Sequence, residues 1–273
     1  MSAREKPGVI LTASAELVAA RHAGEIAAAD VPGGPSISQT ILLPSLRALM
    51  SLLPPESSVV DYRSAVIDDN VLGKETDSGR KRVFRQLREL YALDPSSLLF
   101  RALRDLWDYG VEGQPLLALL CAIGRDRLLR ASSSVILAAD VGSEVQRVSF
   151  ELAVEESFPG IYKPSIRQKV GRNVASSWEQ SGHLVKEARI KKVRARAACT
   201  PTTAAYALML GHLEGQRGQA LFTTLWSKLL DQPMSQLVEL AATASQLGMI
   251  EFRHAGGVVE VGFSRLLRPF DGA

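Results

Sequence analysis

The sequence is poor in cysteine and contains no long apolar run. Cys121 and Cys199 are the only cysteines among 273 residues, so they cannot build a disulfide framework, and without a Cys-x-x-Cys pair a cysteine-based zinc site is not expected. The longest uninterrupted apolar run, residues 116–123, is far shorter than the roughly 20 residues that span a bilayer. The N-terminus lacks the apolar core of a signal peptide. We therefore expect a soluble, reduced, cytoplasmic protein without membrane contacts.

Motifs typical of enzymes are missing as well. The sequence has no P-loop, no Gly-x-Gly-x-x-Gly and no Gly-x-Ser-x-Gly. Its four histidines, none of which forms a metal-binding pair by spacing, are His22, His183, His212 and His254. Asp68 and Asp69 are adjacent on a predicted helix, where neighbouring side chains point about 100° apart and rarely reach one ion. We expect a non-enzymatic protein with no catalytic residues, no metal ligands and no cofactor.

Helical periodicity dominates the sequence. Apolar residues at three- and four-residue spacing predict helices over 80–93, 98–107, 115–130, 165–180, 219–230 and 235–247, with further helices at about 13–29 and 62–70. Ser78 is the expected N-cap of the first of these. Alternating residues around Gly256 and Gly257 predict a β-hairpin over 250–263, and a weaker hairpin follows Gly182. The fold class is therefore mainly α, a multi-helix bundle with helix-turn-helix or winged-helix modules and a small C-terminal β-hairpin.

Proline- and glycine-rich breaks divide the chain into four segments. Residues 1–38 hold an N-terminal helix and a linker, and residues 39–158 form a helical domain with a helix-turn-helix-like basic helix. Residues 159–200 contain a second basic helix and an arm. Residues 201–273 show a winged-helix-like order of helices and hairpin.

Positive charge is concentrated in the third segment. Residues 160–200 hold ten basic and two acidic side chains, although the whole chain has a net charge of only +3. Such a segment attracts a phosphate backbone. Two other interpretations remain open: the cations form a solvated face, or they pair with the acidic stretch 140–156.

Two helices carry the candidate DNA contacts, the first of them over residues 80–88. This stretch has five cations and no anion, and Lys81, Arg85 and Arg88 share one helical face opposite the apolar stripe. A preceding helix and a short glycine-bearing turn complete a helix-turn-helix layout, although many helical hairpins of this form bind nothing. The candidate residues of this helix are Arg80, Lys81, Arg82, Arg85 and Arg88.

The second basic helix is followed by an extended basic arm. This order is typical of a recognition helix and a wing, because Arg, Lys and Asn side chains suit phosphates and base edges. Its candidate residues are Arg167, Lys169, Arg172 and Asn173 on the helix, and Lys186, Arg189, Lys191, Lys192, Arg194 and Arg196 on the arm. The C-terminal winged-helix pattern has a net charge of −1, which favours a protein-contact or packing role there.

Two blocks of this sequence resemble a known family. Residues 69–76 (Asp-Asn-Val-Leu-Gly-Lys-Glu-Thr), followed by Ser78 and the basic triplet 80–82, resemble a signature of the BrxA-like proteins of bacteriophage exclusion (BREX) defence systems. Residues 165–173, continued by 180–184, are similar to that family's second helix block. The resemblance covers roughly residues 40–200 and excludes the first 35 residues.

The resemblance implies a small, non-enzymatic, mostly helical DNA-binding component of a multi-protein phage-defence system, with other BREX proteins as possible partners. It places DNA contacts on the arginines and Lys81 of the first helix and on Arg167, Lys169, Arg172 and Asn173 of the second. We expect sequence-tolerant binding of double-stranded DNA through phosphates. Two alternatives stay open: a protein-protein interaction scaffold of the defence complex, and a winged-helix transcriptional repressor.

Overall fold

The structure, a computed structural model, describes residues 7–188 and 191–270, with the backbone alone for residues 7–14. Within these ranges the protein is mainly helical, as predicted. The helices are α1 (Pro7–His22), α2 (Leu43–Leu52), α3 (Val59–Arg63), α4 (Asp77–Tyr91), α5 (Leu98–Trp107), α6 (Gln114–Arg125), α7 (Arg127–Ala131), α8 (Ser133–Ala138), α9 (Arg147–Ser157), α10 (Pro164–Gln180), α11 (Pro201–Leu213), α12 (Leu225–Lys228) and α13 (Met234–Gln246).

Two small antiparallel strand pairs accompany the helices. The strands are β1 (Leu184–Lys186), β2 (Lys192–Arg194), β3 (Glu251–Ala255) and β4 (Val258–Gly262). β1 pairs with β2 in the register Val185 to Val193. β3 pairs with β4, and the turn between them uses Gly256 and Gly257 at φ 57° and 80°. Both hairpins predicted from the sequence are thereby confirmed, and the two-glycine turn explains the second because consecutive positive φ angles match the twist of the strands.

The chain folds into two compact units. The central unit comprises Ala27–Ala198, and the terminal unit comprises residues of both chain ends, up to Ile26 and from Cys199 onward. In the central unit α9 and α10, which lie on either side of the predicted break at 158–160, pack against each other. The four segments predicted from the breaks stay a prediction as domain limits.

The core of the central unit is built around α6. Residues 116–124 of this helix are all buried, and α6 contacts α4, α5, α7 and α10. Such a helix is apolar on every side because it meets neighbours on every side. The prediction of one helix over 115–130 was wrong at a single residue, since Asp126 leaves helical geometry at φ −120° and ψ 103°.

Asp126 ends α6, and its buried carboxylate accepts hydrogen bonds from α7 and from the segment around Ser36. The carboxylate accepts hydrogen bonds from the backbone N–H groups of Leu128, Leu129 and Ser36, at 3.0, 3.2 and 2.7 Å. Burial raises the pKa of Asp126, and these hydrogen bonds oppose that shift. Gly34 makes the approach possible, because a Cβ there would lie 2.2 Å from the carboxylate.

The turn before α4 lies within residues 69–76, the first of the two sequence blocks described above. Asn70 and Gly73 have φ angles of 53° and 61°, and the Asn70 Oδ1 accepts from the Lys74 N–H at 2.7 Å. The N-cap of α4 is Thr76, whose hydroxyl accepts from the Gly79 N–H at 3.1 Å, so the prediction of Ser78 as cap was wrong. The predicted helix 62–70 is α3 followed by a π-helical turn at Ser64–Asp68.

The terminal unit corrects two sequence predictions. The helix expected at about 13–29 ends at His22. The helix expected over 219–230 is a 3₁₀ segment, Gly218–Thr223, and the short α12, because Thr224 interrupts it and caps α12 by accepting from the Ser227 N–H at 3.3 Å. Helix α11 begins inside the break predicted at 199–202, where Thr200 and Thr203 form a capping box. Helix α13 matches its prediction.

Among the described residues, the core of the terminal unit contains a buried polar side chain without a hydrogen-bond partner. His212 of α11 is 5% exposed, and neither ring nitrogen has a hydrogen-bond partner. Burial, and to a smaller extent the positive charge of Arg217, lower the pKa of His212 to about 4. The 3.6 Å contact between His212 and Glu16 is therefore not an ion pair near neutral pH.

Over residues 7–188 and 191–270, no helix has the length and apolar character that crossing a membrane demands.

Candidate nucleic-acid interface

Helix α10 separates an apolar interior face from a polar surface face. Val170, Val174 and Trp178 are fully buried, as their four-residue spacing predicts. On the other side Gln168, Lys169 and Arg172 are exposed. The helix ends where Gly182 takes φ 87°, close to the predicted end at 180–182.

Two of the four candidate residues on α10 have internal roles. The Arg167 guanidinium forms an ion pair with Glu155 and donates to the Tyr162 carbonyl at 2.8 Å. The Asn173 side chain donates to the Ser36 carbonyl at 2.8 Å. Pairing of basic residues with the acidic stretch 140–156, one of the open interpretations, therefore occurs at Arg167.

The arm predicted after α10 is the hairpin of β1 and β2, and the two basic side chains of β2 bind other parts of the protein. Lys192 donates to the Ala175 carbonyl at 2.9 Å and pairs with Glu179 at 2.8 Å. Arg194 is buried, and its Nε donates to the Ile136 carbonyl at 3.1 Å. These side chains fasten β2 to the helices and are poorly placed for a DNA contact.

Three further cations of the arm, Lys186, Lys191 and Arg196, are exposed. Lys186 is exposed on β1, and Arg196 is exposed beyond β2. Lys191 pairs with Glu187 at 2.8 Å, which raises the pKa of Lys191. Arg189 lies outside the described residues. In the described ranges the side chains of Lys169, Arg172 and Lys186 make neither a hydrogen bond nor an ion pair.

Helix α4 has the predicted amphipathic form. Val83, Phe84, Leu87, Leu90 and Tyr91 are buried, and the side chains of Lys81, Arg82, Arg85 and Arg88 are exposed. Lys81 pairs with Asp77 at 2.7 Å, and Arg85 lies 3.9 Å from Glu89. The Arg88 guanidinium lies 5.9 Å from the ring centre of Phe84. Arg80 instead turns inward and donates to the Ile67 carbonyl at 3.0 Å.

A groove of about 630 Å³ opens beside the exposed face of α10. Its cations are Arg147, Arg172, Lys191 and Lys192, its one carboxylate is Glu144, and Ser176 contributes a hydroxyl. The loop before α9 forms one wall, because the Val145 N–H donates to the Lys192 carbonyl at 2.9 Å and Glu144 bridges to Val193. This loop therefore extends the β1–β2 sheet on the other side of β2.

Sequence reasoning missed Arg147, Gln146 and Ser176 as candidate site residues. Arg147 lies in a stretch rich in acids and pairs with Glu151 at 2.9 Å, so no local excess of cations identified it. The close approach of α9 and α10 carried a signal: Gly171 faces α9, and a Cβ there would lie 2.8 Å from Glu151 Cγ. A glycine inside an otherwise regular helix indicates such a contact.

Within 7–188 and 191–270, no three or more His, Cys, Asp or Glu side chains gather in a way that could hold a metal ion. The segment Pro35–Ile37 contacts both α4 and α10, so the two basic helices of the central unit pack on a common element.

Comparison with known proteins gives no relative: no family model, no curated protein and no solved structure matches this chain.

Proposed function

We propose that this chain is a non-enzymatic component of a BREX-type phage-defence system and that it binds double-stranded DNA mainly through phosphates. The observation that carries the proposal is the set of exposed cations on α10 and β1, Lys169, Arg172 and Lys186, whose charge no described carboxylate pairs with. A surface ammonium or guanidinium without a partner is the group that a phosphate attracts most strongly. Assignment to the BrxA-like family rests on the resemblance of the two sequence blocks.

Helix α4 supplies a second set of contacts in this proposal. Its exposed side is cationic, and the turn held by Asn70 and Gly73 sets it after α3 in a helix-turn-helix order. Arg82 is exposed without an ion pair among the described residues, and Arg88 is paired with no acid in the described chain. With Lys169, Arg172 and Lys186 these residues would neutralise about five phosphates, which corresponds to a log affinity that falls with log salt at a slope near −4.5.

The terminal unit supports a second candidate function, that of a protein-protein interaction scaffold. Its order of α11, α12, α13 and the β3–β4 hairpin is that of a winged helix, and we propose this module here. The exposed residues of α13 include Gln236, Glu239 and Thr243, and the helix contains no Lys or Arg. Such a surface suits a protein partner better than a phosphate backbone.

The test is a mobility shift with two unrelated duplexes at about 50 and 200 mM salt. We expect both duplexes to shift at low salt and to lose binding steeply at high salt. The double variant Lys169→Glu with Arg172→Glu should lose the shift, and Lys228→Glu, an exposed lysine of the terminal unit, should keep it. A wild-type protein that shifts neither duplex would overturn DNA binding in favour of the scaffold, and a shift of one duplex alone would favour a repressor.

A further inference from the structure

The groove between α9, α10 and β2 combines an apolar floor with a cationic rim. Val145 and Ala175 lie at its floor, 7% and 5% exposed, and Arg147, Arg172 and Lys191 stand around it with exposed side chains. Its volume of about 630 Å³ falls in the range of small-molecule sites, which is about 300–1,000 Å³. A surface that only tracks a phosphate backbone does not need an apolar recess of this size.

Several donors at the rim remain available to a ligand. The Arg172 guanidinium and the Ser176 hydroxyl make no hydrogen bond within the described chain. Arg147 uses its Nε for Glu151, and its two terminal nitrogens make no other described hydrogen bond. Two of the three N–H donors of Lys192 are engaged by the Ala175 carbonyl and Glu179, so Lys192 contributes charge and at most one further hydrogen bond.

We propose that this groove binds a single nucleotide unit. Its phosphate would meet Arg172, Arg147 and the Ser176 hydroxyl, because a guanidinium matches phosphate oxygens with paired donors. Its sugar and base would lie on the floor of Val145 and Ala175. The Glu144 carboxylate repels anions at its side of the groove, so the end of the ligand that lies there should be uncharged.

The nucleotide unit has two possible sources with the same chemistry. One is a free nucleotide, and the other is an unpaired nucleotide at the end of a DNA strand. A base inside a duplex is stacked and paired and cannot enter the recess without being extruded. The inference therefore stands apart from the proposed duplex binding, and each fails in a different measurement.

The experiment uses the full chain and three kinds of probe. Isothermal titration calorimetry with ADP and with inorganic phosphate measures the free-ligand arm. Fluorescence anisotropy of a blunt duplex, and of the same duplex with a four-nucleotide single-stranded overhang, measures the DNA-end arm. The variants are Arg172→Glu, which reverses the rim charge, and Ser176→Phe, which fills the groove, and the control is Lys228→Glu.

We expect ADP to bind at least tenfold more tightly than inorganic phosphate, or the overhang to bind at least tenfold more tightly than the blunt duplex. Both groove variants should lose that preference, and Lys228→Glu should keep it. The first result identifies a free nucleotide as the ligand and the second an unpaired DNA end. Equal binding of ADP and phosphate, together with equal binding of both duplexes, would overturn the inference. It would also be overturned if the Ser176→Phe variant unfolded at the wild-type temperature and still preferred ADP or the overhang.

Discussion

Helices α4 and α10 are two basic helices built on the same plan, and they differ in what surrounds their cations. In both, the arginine at the fourth helical position turns back and donates to a carbonyl of the segment before the helix, Arg80 to Ile67 and Arg167 to Tyr162. The cations further along each helix are exposed. A basic cluster in a sequence therefore combines two roles: one arginine anchors the start of the helix to the preceding segment, and the other cations are exposed to solvent.

The difference lies in the acids. Helix α4 carries Asp77 and Glu89, which pair with Lys81 and Arg85 on the same helix. Helix α10 has one acid, Glu179, which pairs with Lys192 of β2 and leaves Lys169 and Arg172 unopposed. Acids thus lie near two of the four exposed cations on α4 and near neither of the two on α10. If the chain binds DNA as proposed, each exposed cation of α10 should on average contribute more to the affinity than each exposed cation of α4.

Charge reversal on the two helices gives the largest expected effect. Lys169→Glu with Arg172→Glu should lower affinity for duplex DNA roughly a hundredfold at low salt and reduce the salt slope by about two, because two phosphate contacts become repulsive. Arg82→Glu with Arg85→Glu changes the charge by the same amount and should cost roughly tenfold. Fluorescence anisotropy over a salt series measures both. Equal losses for the two pairs would show that the acids of α4 do not distinguish the helices.

Removing the anchoring arginine of α10 should act on stability. Arg167→Ala deletes an ion pair and a hydrogen bond from a charged donor, and we expect it to lower the free energy of unfolding by about 2 kcal/mol. Arg172→Ala is a matched control on the same helix and should stay within about 0.5 kcal/mol, because its side chain is exposed. Urea unfolding followed by circular dichroism measures the difference. A similar loss in both variants would contradict the assigned roles.

The corresponding change on α4 should be smaller. Arg80→Ala removes one hydrogen bond to the Ile67 carbonyl and no ion pair, so we expect a loss of about 1 kcal/mol. Arg82→Ala, two residues further along and exposed, should remain within about 0.5 kcal/mol. The same unfolding measurement applies, and an Arg80→Ala protein as stable as the Arg82→Ala protein would argue against an anchor at the fourth position.

Much of the helical fold follows from apolar spacing, and the errors have local causes. The stripes of α4, α10 and α13 identified those helices because each buries one face, and a similar apolar spacing identified α5 although nine of its ten residues are buried. The break inside the predicted helix 115–130 was invisible because Asp126 caps α7 through a contact that includes Ser36, 90 residues earlier. Helix α11 was overlooked because nearly all of its residues are buried, which removes the periodic pattern, and because Thr200 and Pro201 indicate both a loop and a helix start.

The candidate interface was less accessible to sequence reasoning. Apolar spacing predicted which face of each helix is buried. It could not distinguish the roles of Arg167 and Arg172, since both are cations on the same helix. Their roles depend on the Tyr162 carbonyl and on Glu155, which only the packing of α9 and α10 brings within reach. The groove was missed for the same reason, because Arg147 and Arg172 come together across two helices.

The smallest expected effect addresses the acids of α4 directly. Glu89→Gln keeps the shape of the side chain and removes the charge opposite Arg85, so we expect affinity for duplex DNA to rise about twofold at low salt, with the gain disappearing as salt screens the pair. Glu239→Gln, an equally conservative change on the exposed face of α13, is the control and should leave the affinity unchanged. An unchanged affinity in Glu89→Gln would mean that α4 does not approach the phosphates, and DNA binding would then rest on α10 and β1 alone.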